Sequence, residues 1–504
     1  MIDKLSSSDY FGAKKGFLLC LVVLTTYRIL CLLQPHFVLF YDEAYYYHWS
    51  LNLDWGYYSK PPVVAWVIAF FTSVFGDTAF AVKLGAPILY AGAAVFVYLI
   101  AEMLAGARAA CFSGWVFLTS ILVGYNSLFI TTDAPLLFFW AATIWSFLKS
   151  QQSEVSSAGA LKYWFLTGLF CGLGMLSKYT MGALPLSLFL YLLSTEKGRQ
   201  QLVTVGPWVA AVFAGLIFSS NIIWNFQNEF VALRHTSEIS GVDSDWFNPG
   251  KLLEFVGAQF LVFGPVWAWL LIRRAWSQSK GKIGSSSNSD RILWFCILPL
   301  LAVICAQALL SHAFVNWAGP VYVAGSVLVG ISLAARQDRL WLWAGVINLI
   351  LLSLFSHWPI LMDAAGVQRD KSIDPYFRVL GWDQVADGVA PYLQEDESIL
   401  LASESRKLLA VLGFYATPGE FRLARWSENP EDIRDYYDLR VNLRNYQSDA
   451  QQSFLWVSET QPEVNVLSAF ESNEYLGVVE VPVYHNLSQK IYLYQMQGFL
   501  GYPR

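Results

Sequence analysis

Runs of mostly apolar residues, each near the 17–25 that a helix needs to cross a bilayer, recur in this chain from Lys15 to about Ile360 and then stop. No water-soluble core can absorb so many. With 55% of its 504 residues hydrophobic and only 14% charged, the chain needs lipid as a solvent. The expected fold is a polytopic α-helical membrane protein of about eleven spans with interfacial helices in its first outer loop, followed by a soluble α/β domain. The spacing predicts crossings at 15–34, 79–103, 109–125, 134–149, 162–176, 179–195, 203–223, 251–272, 292–310, 316–335 and 340–360. Two domains follow: 1–360 in the membrane, with the first outer loop at 35–78, and 361–504 outside it.

Charge orients the bundle. With a cytoplasmic N-terminus, alternate loops inside carry Arg108, Lys149 with Lys162, Lys197 with Arg199, the group Arg273, Arg274, Lys280, Lys282 and Arg291, and Arg336 with Arg339. That is the positive-inside pattern at each inner loop. The fifth and sixth spans meet at Ser177-Lys178 with almost no loop, and the Gly/Ser-rich run at 281–288 reads as a flexible inner connector. Lys14 and Lys15 precede the first apolar run and no small-residue cleavage site follows it, so the first helix is expected to stay uncleaved. All six cysteines fall inside apolar runs as small hydrophobes, with no CxxC spacing and no disulfide framework. The net charge of −5 is spread over several compartments and points to neither nucleic acid nor an acidic tail.

The outer segments hold the chemistry: Asp42, Glu43, His48, Lys60, Asp133, Lys178, Arg234, His235, Glu238 and His312. Asp42-Glu43 opens a short helix over Asp42–Ser50 and puts Asp42, Tyr46 and Trp49 on one face. Such a pair suits a general base toward an acceptor hydroxyl or a ligand for a divalent cation; it equally suits a helix cap within an interfacial aromatic belt. Lys60, fixed by Pro61 and Pro62, suits a lipid-linked phosphate or the headgroup layer. After it, the apolar stretch Pro61–Phe75 is short for a crossing and fits a helix lying in the interface.

Asp133 stands where an N-cap would, with Pro135 in the first turn behind it. Lys178, between two apolar helices, needs a phosphate or carboxylate partner or water. Arg234, His235 and Glu238 suit a metal, an anionic substrate or a solvated loop; His312 and Asn316 suit turn and cap positions. Beyond residue 361 the alternating stretches Leu476–Val483 and Lys490–Tyr494 predict strands in a domain of about 140 residues, enough to bury a core.

No Gly-rich phosphate loop is present, so an activated group has to reach the outer face by another route. A lipid-linked donor meets that need: its tail stays in the bilayer while its phosphate and sugar project outward, where lysines stabilise the departing phosphate and a carboxylate takes a hydroxyl proton. The stretch DEAYYYHWSLNLDWGYYSKPPVVAW at 42–66, with TDAPLLFFW at 132–140, LSKYT at 176–180, IWNFQN at 223–228 and NWAGPVYVAG at 316–325, resembles bacterial integral-membrane GT-C glycosyltransferases. That group includes the aminoarabinose transferase acting on lipid A and relatives of protein O-mannosyltransferases.

The resemblance implies transfer with inversion from a polyprenyl-phosphate sugar to a lipid, glycan or protein acceptor of the cell envelope, on the periplasmic side of the bacterial inner membrane. It implies Asp42 and Asp133 as catalytic residues. Glu43, Tyr46, Lys60, Lys178, Arg234 and His312 are the expected substrate contacts, and a divalent metal ion on Glu43 and His235 the expected cofactor. Two positions depart: Ser59 stands where the aminoarabinose transferase has a metal-holding glutamate, and the arginine expected a few residues after the histidine is missing, with Arg234 preceding it. Membrane lipids are the other expected partners. A transporter or flippase of a lipid-linked sugar is the competing reading, since charged residues near a membrane also line substrate paths. A scaffold whose outer domain binds a partner is a third.

Overall fold

The computed structural model describes residues 7–152, 157–239, 241, 247–279, 288–336, 339–427, 429, 432–447 and 449–502. The inner connector expected at 281–288 lies outside the described residues except for Asn288. In chain order the helices are α1 (Ser7–Cys31), α2 (Tyr41–Ser50), α3 (Val63–Phe75), α4 (Ala79–Thr119), α5 (Ile121–Asn126), α6 (Asp133–Gln152), α7 (Ala158–Met175) and α8 (Ala183–Ser194). They continue as α9 (Glu196–Leu202), α10 (Val205–Gln227), α11 (Val231–Ile239), α12 (Pro249–Phe263), α13 (Pro265–Ser279), α14 (Asn288–Leu310), α15 (Val321–Ala334), α16 (Leu340–Ser356) and α17 (Trp358–Ala364).

Helices cover each apolar stretch that the sequence marks, but several are broken. α4 turns at Gly106, whose φ of 84° and ψ of 177° leave the helical region, so it holds two helices end to end. The second of them was expected to run to 125; it ends at Thr119, where Ser120 accepts from the Val123 N–H and caps α5 instead. The stretch 251–272 is not one straight helix either. Gly264 at φ 104° and Pro265, which lacks an N–H and disfavours helix before it, set α12 and α13 at 113° to each other. A 75° bend separates α16 from α17, with Pro359 in the first turn beyond it.

By length and composition, three helices among the described residues can cross a membrane: Ala79–Thr119, Val205–Gln227 and Asp290–Leu310. Counting each bent pair as one span brings the number to five. The protein is a helical membrane protein with a sheet-containing C-terminal domain.

The chain divides into two compact units. The first holds residues 1–32, 60–64 and 84–353. In it α7 packs against α6 and α10, and it approaches α10 so closely that a Cβ at Gly168 would overlap the Ala210 carbonyl. The second unit holds residues 33–59, 65–83 and 354–504, so most of the stretch expected as the first outer loop groups with the C-terminal region. Its later elements are α18 (Trp382–Gln394), β1 (Leu400–Ser403), α19 (Arg406–Ala416), β2 (Leu423–Arg425), α20 (Tyr436–Val441), β3 (Ser453–Ser458), α21 (Val464–Leu467), β4 (Phe470–Tyr484) and β5 (Leu487–Phe499).

The strand order is β2-β1-β3-β5-β4, with β1 parallel to both neighbours and the β4–β5 hairpin antiparallel. Ala402, Trp426, Phe454, Trp456, Met496 and Phe499 fill one face as a core. Both strands read from alternation are present, each longer than expected.

Candidate functional site

In the second unit α2 carries Asp42 and Glu43, and the two carboxylates have separate tasks. The Glu43 side chain turns back to accept from the Phe40 N–H at 3.0 Å, which closes the start of the helix. The same Oε2 meets the Lys83 ammonium at the start of α4, and both side chains are buried. Glu43 therefore closes and orients α2, the capping alternative that the sequence left open for this pair, with Lys83 as a partner that the sequence did not give. Asp42 remains about one-third exposed and accepts from Arg406, the first residue of α19, at 3.3 Å. The Arg406 guanidinium lies over the rings of Tyr41 and Tyr45, 5.5 and 4.9 Å from their centroids.

The aromatic run behind Asp42 is not an interfacial belt. Tyr45, Tyr47 and Trp49 are buried, and the two tyrosine hydroxyls are used inside the protein. Tyr45 Oη accepts from the Tyr436 N–H at 2.5 Å, and Tyr47 Oη accepts from the Gly419 N–H at 2.7 Å. Trp49 stacks on Tyr57 at 4.7 Å and also meets Tyr46, which shares its face of α2 as the spacing predicts. A helix so cemented holds Asp42 in a fixed orientation.

His48 is wholly buried in the same layer, with Nδ1 hydrogen-bonded to Tyr437 Oη at 2.7 Å. Burial pushes its pKa down to about 3. The unfolded chain takes up a proton near pH 6.5 that the folded chain refuses, so this contribution is complete above that pH and is lost as the pH falls below it. At pH 5 the loss is about 2 kcal/mol. Asp438 acts in the opposite sense, its pKa raised by burial and then by Asp435. The His48 effect is therefore read as a difference. Between pH 7 and 5 the wild-type chain should lose about 2 kcal/mol more stability in thermal unfolding than His48→Gln; parallel pH slopes for the two would rule it out.

The first unit gathers Lys60, Asp133, Lys178 and Asn316. Lys178 sits in extended backbone between α7 and a 3₁₀ turn at Tyr179–Gly182, which frees its side chain from helical packing. Its ammonium meets Asp133 Oδ1 at 2.6 Å, and Asn316 Nδ2 donates to Asp133 Oδ2 at 2.6 Å. Asp133 is thus not the N-cap that its sequence position suggests: it is the first residue of α6, and both its oxygens go to tertiary partners. The Val63 N–H donates to the Leu176 carbonyl at 3.1 Å, tying the Lys60-Pro61-Pro62 segment to the turn that bears Lys178. Beside that turn Tyr179 Oη donates to Asn221 Oδ1 at 3.0 Å and accepts from Asn225 Nδ2 at 3.3 Å, a network the sequence reading missed.

Arg234, exposed on α11, pairs with Glu229 at 3.6 Å, and His235 on the same helix is half-buried. His312 is exposed, its ring against Phe314. Glu43, one of the two donors expected for a divalent metal, is engaged with Lys83, and no group of three His, Cys, Asp or Glu side chains able to hold an ion occurs among the described residues.

Comparison with known proteins puts this geometry in a class. Residues 59–224 match the family described as dolichyl-phosphate-mannose-protein mannosyltransferase. The lipid A galacturonosyltransferase RgtD of Rhizobium johnstonii is 28% identical over 84% of this chain and 88% of its own length. An undecaprenyl phosphate-alpha-4-amino-4-deoxy-L-arabinose arabinosyl transferase of Erwinia tasmaniensis is 27% identical over 49% of this chain, which spans 45% of that relative. Among solved structures, ArnT from Cupriavidus metallidurans bound to undecaprenyl phosphate shares the fold, with a TM-score of 0.67 at 16% identity over 97% of this chain and 99% of that one. The oligosaccharyltransferase AglB of Archaeoglobus fulgidus aligns at a TM-score of 0.52 and 12% identity, over 82% of this chain and 64% of its own.

Family pattern, relatives and fold converge on an integral-membrane GT-C glycosyltransferase. Within that class the chain is similar to bacterial transferases, to the lipid A galacturonosyltransferase along most of both chains and to the aminoarabinose transferase along about half of each. The transporter and scaffold readings give way to an enzyme.

Proposed function

We propose that this enzyme moves a sugar from a polyprenyl-phosphate donor to a lipid acceptor of the lipid A kind, with inversion at the anomeric carbon. The similarity to RgtD along most of both chains supports the acceptor class, and the shared fold with ArnT supports the donor class. In this reading the protein crosses the bacterial inner membrane eleven times. Residues 1–360 form the catalytic membrane domain, and the chemistry and the domain at 361–504 lie in the periplasm.

Asp42 takes the proton of the acceptor hydroxyl as its oxygen forms a bond to the anomeric carbon. The bond from that carbon to the phosphate oxygen breaks, and the polyprenyl phosphate leaves. Lys60 and Lys178 stabilise the charge left on that phosphate. Asp133 holds Lys178 in readiness, and Asn316 keeps the second Asp133 oxygen satisfied. One observation carries the reading: a largely buried lysine held at 2.6 Å by Asp133, in a turn to which the Lys60 segment is tied.

The test is transfer by the purified full-length protein in lipid vesicles, with a polyprenyl-phosphate sugar and lipid A, followed by mass spectrometry of the acceptor. One added sugar is expected, and Lys178→Met should lower the rate about 10–100-fold. A donor carried intact across the vesicle membrane, with no covalent product, would refute the proposal.

A further inference from the structure

The Asp42–Arg406 pair is unusual in where its halves come from. The carboxylate proposed as the base stands in the first outer loop, and the cation that holds it comes from the C-terminal domain, 364 residues away in sequence. Both side chains are about one-third exposed, so substrate can reach them. A guanidinium carries five N–H donors in a fork that matches a carboxylate or phosphate, and one of them is directed at Asp42. The rings of Tyr41 and Tyr45 fix the plane of that fork without using its donors. A base held in an ion pair is also a poor acceptor of a hydroxyl proton, so transfer gains if Arg406 finds another partner once substrate arrives.

We infer that Arg406 is a specificity residue that reads a negative charge on the substrate. In the empty enzyme it holds Asp42; in the transfer complex it turns its fork to an oxyanion of the substrate and leaves Asp42 to act as base. The chemistry recognised is a planar or tetrahedral oxyanion, which either a phosphate on the acceptor lipid or a carboxylate on the transferred sugar can supply. This inference rests on Asp42 as the base of the proposed reaction.

The experiment uses full-length wild type, Arg406→Gln and Arg406→Lys in phosphatidylethanolamine–phosphatidylglycerol vesicles. Each is given a polyprenyl-phosphate donor bearing a uronic acid or a neutral hexose, and lipid A with or without its phosphates. For Arg406→Gln, KM for the charged substrate should rise about 10–100-fold, with little change for its uncharged counterpart, and Arg406→Lys should recover part of the loss. If the loss follows the acceptor phosphates, the anion is on the lipid; if it follows the uronic acid, it is on the sugar. Equal loss on charged and neutral substrates, or no loss at all, overturns the inference while the transferase reading stands. A wild-type protein inactive on every combination sinks the transferase reading and this inference with it.

Discussion

Asp42→Asn should lower transfer by about 10²–10⁴-fold, the range that a positioned general base contributes, while leaving the protein folded. The amide keeps the size and hydrogen-bonding reach of the carboxylate but cannot hold the acceptor's proton, so the effect falls on the chemical step. Stability should change little, because the carboxylate is about one-third exposed and its ion pair with Arg406 is of a kind worth about 0–1 kcal/mol. The variant is therefore expected at wild-type yield, with an unchanged melting profile and with donor binding intact. Single-turnover kinetics on a bound donor separate the steps, since a lost base slows sugar transfer and not lipid entry. Activity within a factor of ten of wild type would remove Asp42 from that role.

Much of this arrangement was legible in the sequence, for physical reasons that differ by residue. The short helix at 41–50 announces itself through acidic residues at its start and apolar or aromatic positions at helical spacing, and the β4–β5 strands through alternation. Such signals are local. Ion pairs are not: Glu43 finds Lys83 forty residues on, and Asp42 finds Arg406 across most of the chain. No spacing rule joins them.

A flag for Lys83 existed, since a lysine inside the apolar run Ala79–Ile100 has to be paired or hydrated. The same rule correctly asked for a partner at Lys178. Gly264-Pro265 likewise carried a visible break signal inside a stretch whose overall apolarity suggested one span. Asp133 misled because an acidic residue at a helix start satisfies capping rules whatever it does in the fold. The YYYHW run misled in a similar way. Tyrosine and tryptophan suit a membrane interface as well as a packed layer with hydrogen-bonded hydroxyls, and composition cannot separate the two.

Lys83→Met should destabilise the second unit by about 3–5 kcal/mol, the cost of leaving one member of a buried ion pair without its partner. For a unit of this size that is a fall in melting temperature on the order of 10 °C. The argument is specific to the removed charge. Methionine fills nearly the same volume as the lysine stem, so packing is largely kept, but the buried Glu43 carboxylate then loses the cation opposite it. Because Glu43 closes the first turn of α2, the strain falls on the helix that aims Asp42, and transfer should drop together with stability. Removing the second charge reverses the effect: in Glu43→Gln/Lys83→Met the amide can still accept from the Phe40 N–H and no ion is stranded, so most of the lost melting temperature should return. Melting curves of the full-length variants in detergent, set beside their transfer rates, decide the point. A double variant no more stable than Lys83→Met would mean that the loss came from packing around the lysine stem, and that Glu43 orients α2 without help from a countercharge.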